Sequence, residues 1–291
     1  MLNQQGDLRK TDPAISAVRS CSVRVIRSES CESERREFIL LAPLGTEIPS
    51  DLGRVTADQT SHGKLLADVQ RLRGRIYSED GAIDPKTLTV DGRHQQAIDN
   101  HSWHIVALGA DGTVQGCIRY SPHHKDVRFE HLGAAASALS QSGNHQVREA
   151  IENEIARARE KQVGFAEVGG WALGPVLRSS TAALDMLLLA FALIERLGGS
   201  LGVSTATVRH GSASILQRMG LRPLEFEGTE LPAYYDRQYQ CEMQILRFDS
   251  SAPNPKYSNR LRNFEAQLSN LRVLCASKVQ STIPLTYAMA A

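Results

Sequence analysis

The sequence lacks the cysteine and histidine patterns of a metal-binding or disulfide-rich protein. Its five cysteines are scattered along 291 residues, and none lies in a C-x-x-C pair or beside a histidine at the spacing of zinc ligands. We therefore predict no metal and no bound cofactor. An odd number of dispersed thiols is typical of a protein that stays reduced in the cytoplasm.

A charge excess and a long apolar run are also missing. The 33 lysines and arginines nearly balance the 32 acidic residues, so the net charge of +1 provides no field for nucleic acid. The N-terminus has no apolar core of a signal peptide, and no apolar run approaches the ~20 residues that span a bilayer. We expect neither secretion nor stable membrane insertion.

The hydrophobic pattern predicts one main domain with short flanks. Residues 1–20 are polar and predict a disordered tail, 21–249 carry the periodic segments, and 250–291 predict a linker and a last amphipathic helix at Asn259–Leu274. The predicted elements alternate between strands and helices, with a hairpin turn at Asp111–Gly112. This order indicates an α/β sandwich in which helices cover a mixed sheet.

The most informative stretch is Phe165–Gly198, which predicts a strand, a tight loop and an apolar helix. The glycine pair Gly169–Gly170 within the strand indicates a bulge or a close backbone approach. A strand that leads into a helix N-terminus favours anion binding, because the first N–H groups are unpaired. Arg178 adds a forked cation suited to phosphate, although an ordinary buried β-α unit with a surface arginine has the same pattern.

Four sequence blocks between Leu65 and Phe248 resemble the GNAT acyltransferase superfamily. They are GCIRY, AEVGGWALGPVLRSS, STATVRHGSASILQRMGLRPLE and YYDRQYQCEMQILRFD, in that order. Within the superfamily, the chain is similar to N-acyl amino acid synthases and acyl-homoserine-lactone synthases. The resemblance implies a GNAT-like α/β (α+β) fold, in which helices flank a mixed, mostly antiparallel central sheet.

The resemblance also implies a donor site. Arg178 matches the first arginine of the loop that holds the coenzyme A pyrophosphate, but serine and threonine replace the glycines that follow it. This favours an acyl carrier protein, whose phosphopantetheine arm has a single phosphate, with acyl-CoA as the alternative co-substrate. The predicted donor-binding residues are Trp171, Leu173, Arg178, Ser179, Ser180 and Thr181, and the apolar helix behind them lines an acyl tunnel or is plain core.

For catalysis, the resemblance implies that Glu167 is the base that takes a proton from the attacking amine. Glu167 is equally interpreted as a strand carboxylate paired with an arginine such as Arg119. In the lactone synthases an arginine lies three residues after this glutamate, and Gly170 occupies that position here. A bulge at Gly169–Gly170 would expose an N–H group to the thioester carbonyl.

The resemblance also implies acceptor-binding residues. Asp99 matches an acidic residue before the hairpin of the lactone synthases, and Arg119 matches the arginine that closes that hairpin, where it can hold a carboxylate through two hydrogen bonds. Arg75 is a further candidate for binding the acceptor or closing the loop, and Tyr235 for covering the acceptor pocket or acting as an acid on the leaving thiolate. A solvated helix face for Arg71, Arg73 and Arg75, and a surface position for His123, are the expectations from the pattern alone.

These residues predict a bacterial-type cytoplasmic N-acyltransferase that moves a fatty acyl group from acyl carrier protein to an amino acid or similar small amine. Basic residues such as Arg148, Arg157 and Arg159 are candidates for meeting the acidic carrier. Three alternatives remain: a GNAT acetyltransferase that uses acetyl- or acyl-CoA, an acyl-homoserine-lactone synthase, and a non-catalytic module that only binds an acyl carrier.

Overall fold

The computed structural model describes residues 37–135, 145–178, 180–209, 211–237 and 239–277. The predicted tail over 1–20 and the donor-site residue Ser179 lie outside these ranges. The chain divides into two units, Met1–Arg35 and Arg36–Ala291, and all that follows concerns the second.

The elements follow one another in the predicted alternation. The strands are β1 (Glu37–Leu41), β2 (Arg54–Ala57), β3 (Trp103–Leu108), β4 (Val114–His123), β5 (Gly164–Leu173), β6 (Ser200–Thr207), β7 (Arg222–Pro223), β8 (Glu225–Phe226), β9 (Thr229–Glu230), β10 (Tyr234–Asp236), β11 (Cys241–Asp249) and β12 (Arg272–Cys275). The helices are α1 (Gln59–Glu79), α2 (His145–Glu160), α3 (Pro175–Arg178), α4 (Ala182–Arg196), α5 (Ser212–Met219) and α6 (Ser258–Leu268).

One large sheet runs through the described part of the chain in the order β10-β11-β6-β5-β4-β3-β1-β12-β2. Most neighbours in it are antiparallel, whereas β5 pairs with β6, and β12 with both β1 and β2, in parallel. The predicted fold class, a mixed and mostly antiparallel sheet flanked by helices, is therefore confirmed.

Helices cover both faces of the sheet. Successive residues of a strand point to opposite faces, so both faces carry apolar side chains that a helix can bury. Ile105 packs in the cluster that contains α4 and α6, whereas its neighbour Val106 packs against α1. On this second face α2 covers β5 and β6 through Phe165 and Leu201. Every residue from Met186 to Ile194 in α4 is buried, as the apolar run predicts. Within the described ranges, no helix has both the length and the apolarity that a membrane crossing requires.

The C-terminal segment differs from its predicted helix. Helix α6 ends at Leu268, and Arg272–Cys275 forms β12, which is inserted between β1 and β2. Val273, Leu274 and Cys275 are all buried. A strand between two neighbours satisfies its backbone on both sides and buries consecutive apolar residues, which a one-sided surface helix does not do.

Candidate active site

A glycine bulge interrupts the central strand β5 where the sequence predicts it. Cys117 of β4 pairs with Ala172, but Arg119 pairs with Gly169, so β5 has one extra residue opposite Ile118. Gly170 adopts a φ of 60°, a left-handed conformation that a residue with a side chain rarely takes. A bulge leaves its extra residue outside the ladder and bends the strand, so the β5 backbone is open at this point.

The parallel strands β5 and β6 separate just before this bulge. Their pairing runs from Gly164 with Ser200 to Glu167 with Val203, and in the described residues it does not continue. Beyond that point β5 stays paired with β4, and β6 stays paired with β11. The strands thus leave a wedge between them, and the β5 backbone groups that face the wedge have no strand partner.

A buried carboxylate network lies beside the bulge on the α1 face. Asp99, with a side chain 1% exposed, binds Arg73 through both oxygens at 2.8 and 2.5 Å. It also accepts hydrogen bonds from Arg119 at 2.7 Å, from the Gln70 amide at 2.9 Å and from the Gln96 backbone at 3.1 Å. Asp99 is thus enclosed by two guanidinium groups, which it holds in fixed positions.

This network fixes the charge states of its members. Burial alone would raise the pKa of Asp99, but the hydrogen bond and charge of Arg73, with the charge of Arg119, hold that pKa well below its usual range. Burial lowers the pKa of His94 to about 4 and that of His104 to about 3. At neutral pH the cluster therefore contains one carboxylate, two guanidinium ions and two neutral imidazoles.

Arg73 corrects the expectation of a solvated arginine face on α1. Its side chain is fully buried, and its guanidinium also donates to the His94 carbonyl at 3.0 Å. Arg75, the predicted acceptor residue, is exposed on the same helix. The signal for Arg73 was present in the sequence: Gln70, Arg73 and Tyr77 follow one another at helical spacing, which places three polar side chains on one face.

Open space lies over Gly169, next to the network. An added Cβ at Gly169 would meet no atom of the described residues within 4 Å. Directly opposed residues of an antiparallel pair share a face, so this space borders Arg119 and, two residues along β5, Glu167. Arg119 keeps its buried Nε without a hydrogen-bond partner among the described residues. This space, the hollow over Gly169, therefore lies beside Arg119 and Glu167.

Glu167 is held by backbone amides and a histidine. Its oxygens accept hydrogen bonds from the amides of Gly133 at 3.0 Å and Ala134 at 2.8 Å, and lie 3.0 Å from His123 Nε2. Burial raises its pKa, but the bonds from His123 and the two amides outweigh that effect and lower the pKa. His123 is therefore not the surface residue that the pattern suggests, because its side chain is only 9% exposed.

Aromatic side chains close the other side of the network. Tyr77 donates its hydroxyl to the Trp171 carbonyl at 3.2 Å, and its ring contacts those of His94 and Tyr239 edge to face. The hydroxyl of Tyr239 is hydrogen-bonded to the side chain of Gln96, and burial raises its pKa. Tyr235, the tyrosine predicted for the acceptor, is instead 56% exposed on the edge strand β10.

The predicted donor residues lie around the connection from β5 to α4. Arg178 is exposed, donates its Nε to the Leu173 carbonyl at 3.2 Å and pairs with Asp80 at 3.3 Å. Ser180 accepts a hydrogen bond from the Ala182 amide at 3.1 Å, and Thr181 is the residue before α4. Trp171 and Leu173 are partly buried against the core around α4. Apart from Ser179, the predicted donor residues thus form one neighbourhood.

Within the described ranges, no group of histidine, cysteine and acidic side chains has a metal-binding arrangement. Cys117, Cys241 and Cys275 are buried, and no disulfide joins cysteines within the described part of the chain. Burial raises the pKa of Cys117 to about 11, so this thiol near the bulge is protonated at neutral pH. It donates a weak hydrogen bond to the Gly170 carbonyl at 3.4 Å, which supports the bulge.

Comparison with known proteins identifies the fold. No family model and no curated protein matches the sequence. The structure is similar to that of the CoA-dependent acyl-homoserine lactone synthase BjaI with SAM and isopentyl-CoA, with a TM-score of 0.53 and 12% identity. That match covers 87% of this chain and 98% of the synthase.

Two further solved structures are more distant. The CoA-dependent acyl-homoserine lactone synthase MesI has a TM-score of 0.43 and 17% identity, over 79% of this chain and 95% of that one. FeeM, an N-acyl amino acid synthase from uncultured soil microbes, has a TM-score of 0.41 and 14% identity, over 68% and 90%. At such identities only the fold is shared, and it rests on the first match. The chain has the GNAT-like fold of an acyl-homoserine lactone synthase, as the resemblance of its sequence blocks implies.

Proposed function

We propose that the protein is an N-acyltransferase that moves an acyl group from a thioester to the amine of a small acceptor. The observation that carries this proposal is the glycine bulge of β5 at the wedge between β5 and β6. A thioester carbonyl inserted there meets an unpaired backbone N–H group. Such a donor stabilises the oxyanion that forms when an amine attacks the carbonyl carbon.

The hollow over Gly169 is the acceptor site in this proposal. The free Nε–H of Arg119 suits the carboxylate of an amino acid, because guanidinium groups bind carboxylates through directed hydrogen bonds. Asp99 lies behind this arginine and keeps it in place. In this proposal the arginine of α1 beside the acceptor site is Arg73 and not Arg75. The tyrosine beside the site is Tyr239 and not Tyr235. An amino acid or a similar anionic amine fits these groups.

The pair of Glu167 and His123 provides the proton acceptor. When His123 donates Nε2–H to the glutamate, its Nδ1 carries the lone pair. In the reaction the amine nitrogen bonds to the carbonyl carbon, the surplus amine proton passes to this pair, directly or through water, and the carbon–sulfur bond breaks. The leaving thiolate takes up a proton as the oxyanion returns to a carbonyl. A carboxylate that orients a histidine is a recurrent arrangement in such proton transfers.

The acyl donor is acyl carrier protein in this proposal, with acyl-CoA as the alternative, and the reaction takes place in the cytoplasm. A cavity of about 10 Å³ between the sheet and α4 is lined by apolar side chains, so an acyl chain would have to displace some of them to enter: Val168, Leu187, Ala190, Phe191, Ile194, Leu221 and Phe248. The three arginines predicted to meet the carrier are engaged within the protein. Arg148 binds Glu152, Arg157 binds Glu154, and Arg159 donates to the Val127 carbonyl. The exposed Arg178 near the wedge is the better candidate for the carrier's phosphate.

The test is product analysis by mass spectrometry with purified protein. Acyl carrier protein and CoA thioesters of several chain lengths are each incubated with mixed amino acids, and separately with S-adenosylmethionine. We expect N-acyl amino acids from one donor class. N-acyl lactone formed from S-adenosylmethionine would support the lactone-synthase alternative, and binding of donor without any product would support the non-catalytic module.

A matched pair of glycine variants ties the activity to the site. Gly169→Leu fills the hollow, and we expect it to lower turnover at least tenfold while the fold is retained. Gly63→Leu is the control, because an added Cβ at this exposed α1 position also meets no atom within 4 Å. Equal activity of both variants would refute the assignment of the acceptor site.

A further inference from the structure

A second cavity, the α2 cavity, lies on the face of the sheet that carries Glu167. Its volume is about 200 Å³, against about 10 Å³ for the cavity beside α4. It lies between the first turn of α2, the segment that leads into β10 and the middle of β11, and its apolar lining residues are Val147, Leu231, Pro232, Ala233 and Ile245. An engineered apolar cavity of about 150 Å³ binds benzene, so the α2 cavity has room for a group of about six carbon atoms.

The lining of the α2 cavity suits a hydrocarbon chain and not a charged group. Val147 and Ile245 are buried, whereas Pro232 and Ala233 are exposed. The other lining side chains in the described ranges belong to a glutamine and a tyrosine, so none is a carboxylate or a cation. An ammonium or carboxylate group placed here would lose its hydration without gaining an ion partner, whereas an apolar chain gains from leaving water.

The α2 cavity lies level with the glycine bulge, two strands away. Glu167 of β5 pairs with Val203 of β6. Two residues further along β6, Thr205 pairs with Ile245 of β11. Gly169 is likewise two residues beyond Glu167, so Gly169, Thr205 and Ile245 follow one another across the sheet. Two strand spacings make about 10 Å, and the wedge between β5 and β6 adds to this distance.

The sheet between the bulge and the α2 cavity is only partly covered. Val203 is fully buried against α2, whereas Thr205 and Thr207, which share its face, are half-buried. A chain that starts at the wedge therefore has a route across β6 over these two threonines. On the opposite face the run from Met186 to Ile194 of α4 is buried throughout.

We propose that the α2 cavity binds the distal end of the acyl chain, on the opposite face of the sheet from α4. This proposal rests on the proposed function for the position of the thioester at the bulge. Three atoms of an extended chain span about 3.5 Å, so about nine atoms cover the distance from the bulge. With about six carbon atoms in the cavity, the preferred acyl chain has about 12 to 16 carbons.

Acyl-chain selectivity tests this assignment. Initial rates compare tetradecanoyl and hexanoyl thioesters of one donor class with a single acceptor, because the shorter chain ends before the cavity. Ala233→Trp places an indole at the exposed side of the cavity, and we expect the ratio of kcat/KM for tetradecanoyl over hexanoyl donors to fall at least tenfold. Ala156→Trp is the control, since it makes the same change on the exposed side of α2, and its ratio should stay within twofold of the unmodified protein.

Binding without turnover separates this proposal from the proposed function. Calorimetric titrations use sodium tetradecanoate below its micellar concentration, without thioester or acceptor. Ala233→Trp should raise the Kd for tetradecanoate at least fivefold, and Ala156→Trp less than twofold. This pattern of Kd values in a protein that transfers no acyl group would refute the proposed function and leave the α2 cavity assigned to a hydrocarbon chain.

Two results would overturn the proposal. One is the same ratio of kcat/KM, or the same Kd for tetradecanoate, in Ala233→Trp and Ala156→Trp. The other is a changed preference among amino-acid acceptors in Ala233→Trp with an unchanged ratio between the two acyl chains, which would assign the α2 cavity to the side chain of the acceptor.

Discussion

The buried arginine on α1 offers the sharpest test of the site's construction. Arg73→Met keeps the length of the side chain and removes its charge. Asp99 then loses two hydrogen bonds, at 2.8 and 2.5 Å, and the His94 carbonyl loses a third, at 3.0 Å. Breaking a buried ion pair by removal of one partner costs about 3–5 kcal/mol, because the other charge stays buried.

Two other contacts moderate that cost. Arg119 and Gln70 still bind Asp99 at 2.7 and 2.9 Å, so the buried carboxylate keeps hydrogen-bond partners. We therefore expect the free energy of unfolding to fall by about 3 kcal/mol, the lower end of the range for a broken buried pair. Urea denaturation followed by circular dichroism at pH 7 measures this change.

Arg75→Met is the matched control, since it removes the same group from an exposed position two residues away on the same helix. A surface substitution of this kind changes stability by about 0.5 kcal/mol or less. In the double variant with Asp99→Asn, Arg73→Met should cost less than it does alone, because the buried charge is gone. A loss below about 1 kcal/mol for Arg73→Met, or an equal loss for Arg75→Met, would refute the reasoning about the buried network.

Two further predictions concern titration and catalysis. Because the pKa values of His94 and His104 are about 4 and 3, the unfolded chain binds protons between pH 6.5 and 4 that the native protein does not bind. Stability should therefore fall as the pH is lowered through this window, by up to about 1.4 kcal/mol per unit for each histidine, and His94→Asn should reduce the slope in urea denaturation series; an unchanged slope contradicts the assignment. Glu167→Gln should lower turnover more than tenfold, because it removes the carboxylate charge and turns an amide NH₂ towards the donors that now bind Glu167. Wild-type turnover in initial-rate assays of Glu167→Gln would remove this residue from the mechanism.

Local patterns were sufficient to predict the architecture around the wedge. The glycine pair in β5, the apolar run of α4 and the turn at Asp111–Gly112 each have a direct physical signature in the sequence, and all three are found in the structure. Strand β12 was missed because Leu271, immediately before it, continues the apolar spacing of the helix residues Leu261, Phe264 and Leu268. Only contact with β1 and β2, which are distant in sequence, determines that these residues form a strand.

The sequence predicts the site residues in and beside the hairpin of β3 and β4. It does not predict the site residue that helix α1 contributes. Asp99 and Arg119 are predicted from the resemblance to the lactone synthases, and the structure joins them at 2.7 Å. Arg73 was assigned to a solvated face because charge on a helix usually faces water. Its burial depends on a carboxylate 26 residues away, and that pairing exists only in the folded chain.

Gly170 and Arg73 are best understood together. In the lactone synthases that the sequence resembles, an arginine lies on the central strand where this chain has Gly170. Here a Cβ on Gly170 would lie only 3.1 Å from Arg73 Nη1 and 3.1 Å from Arg119 Cβ, so the space beside the bulge is already filled by a guanidinium from α1. Glycine suits this position for two reasons: residues with a side chain rarely adopt a φ of 60°, and a Cβ would press on Arg73 and Arg119. A missing strand arginine therefore does not leave the site without a second cation. Helix α1 supplies a guanidinium, that of Arg73, beside Gly170.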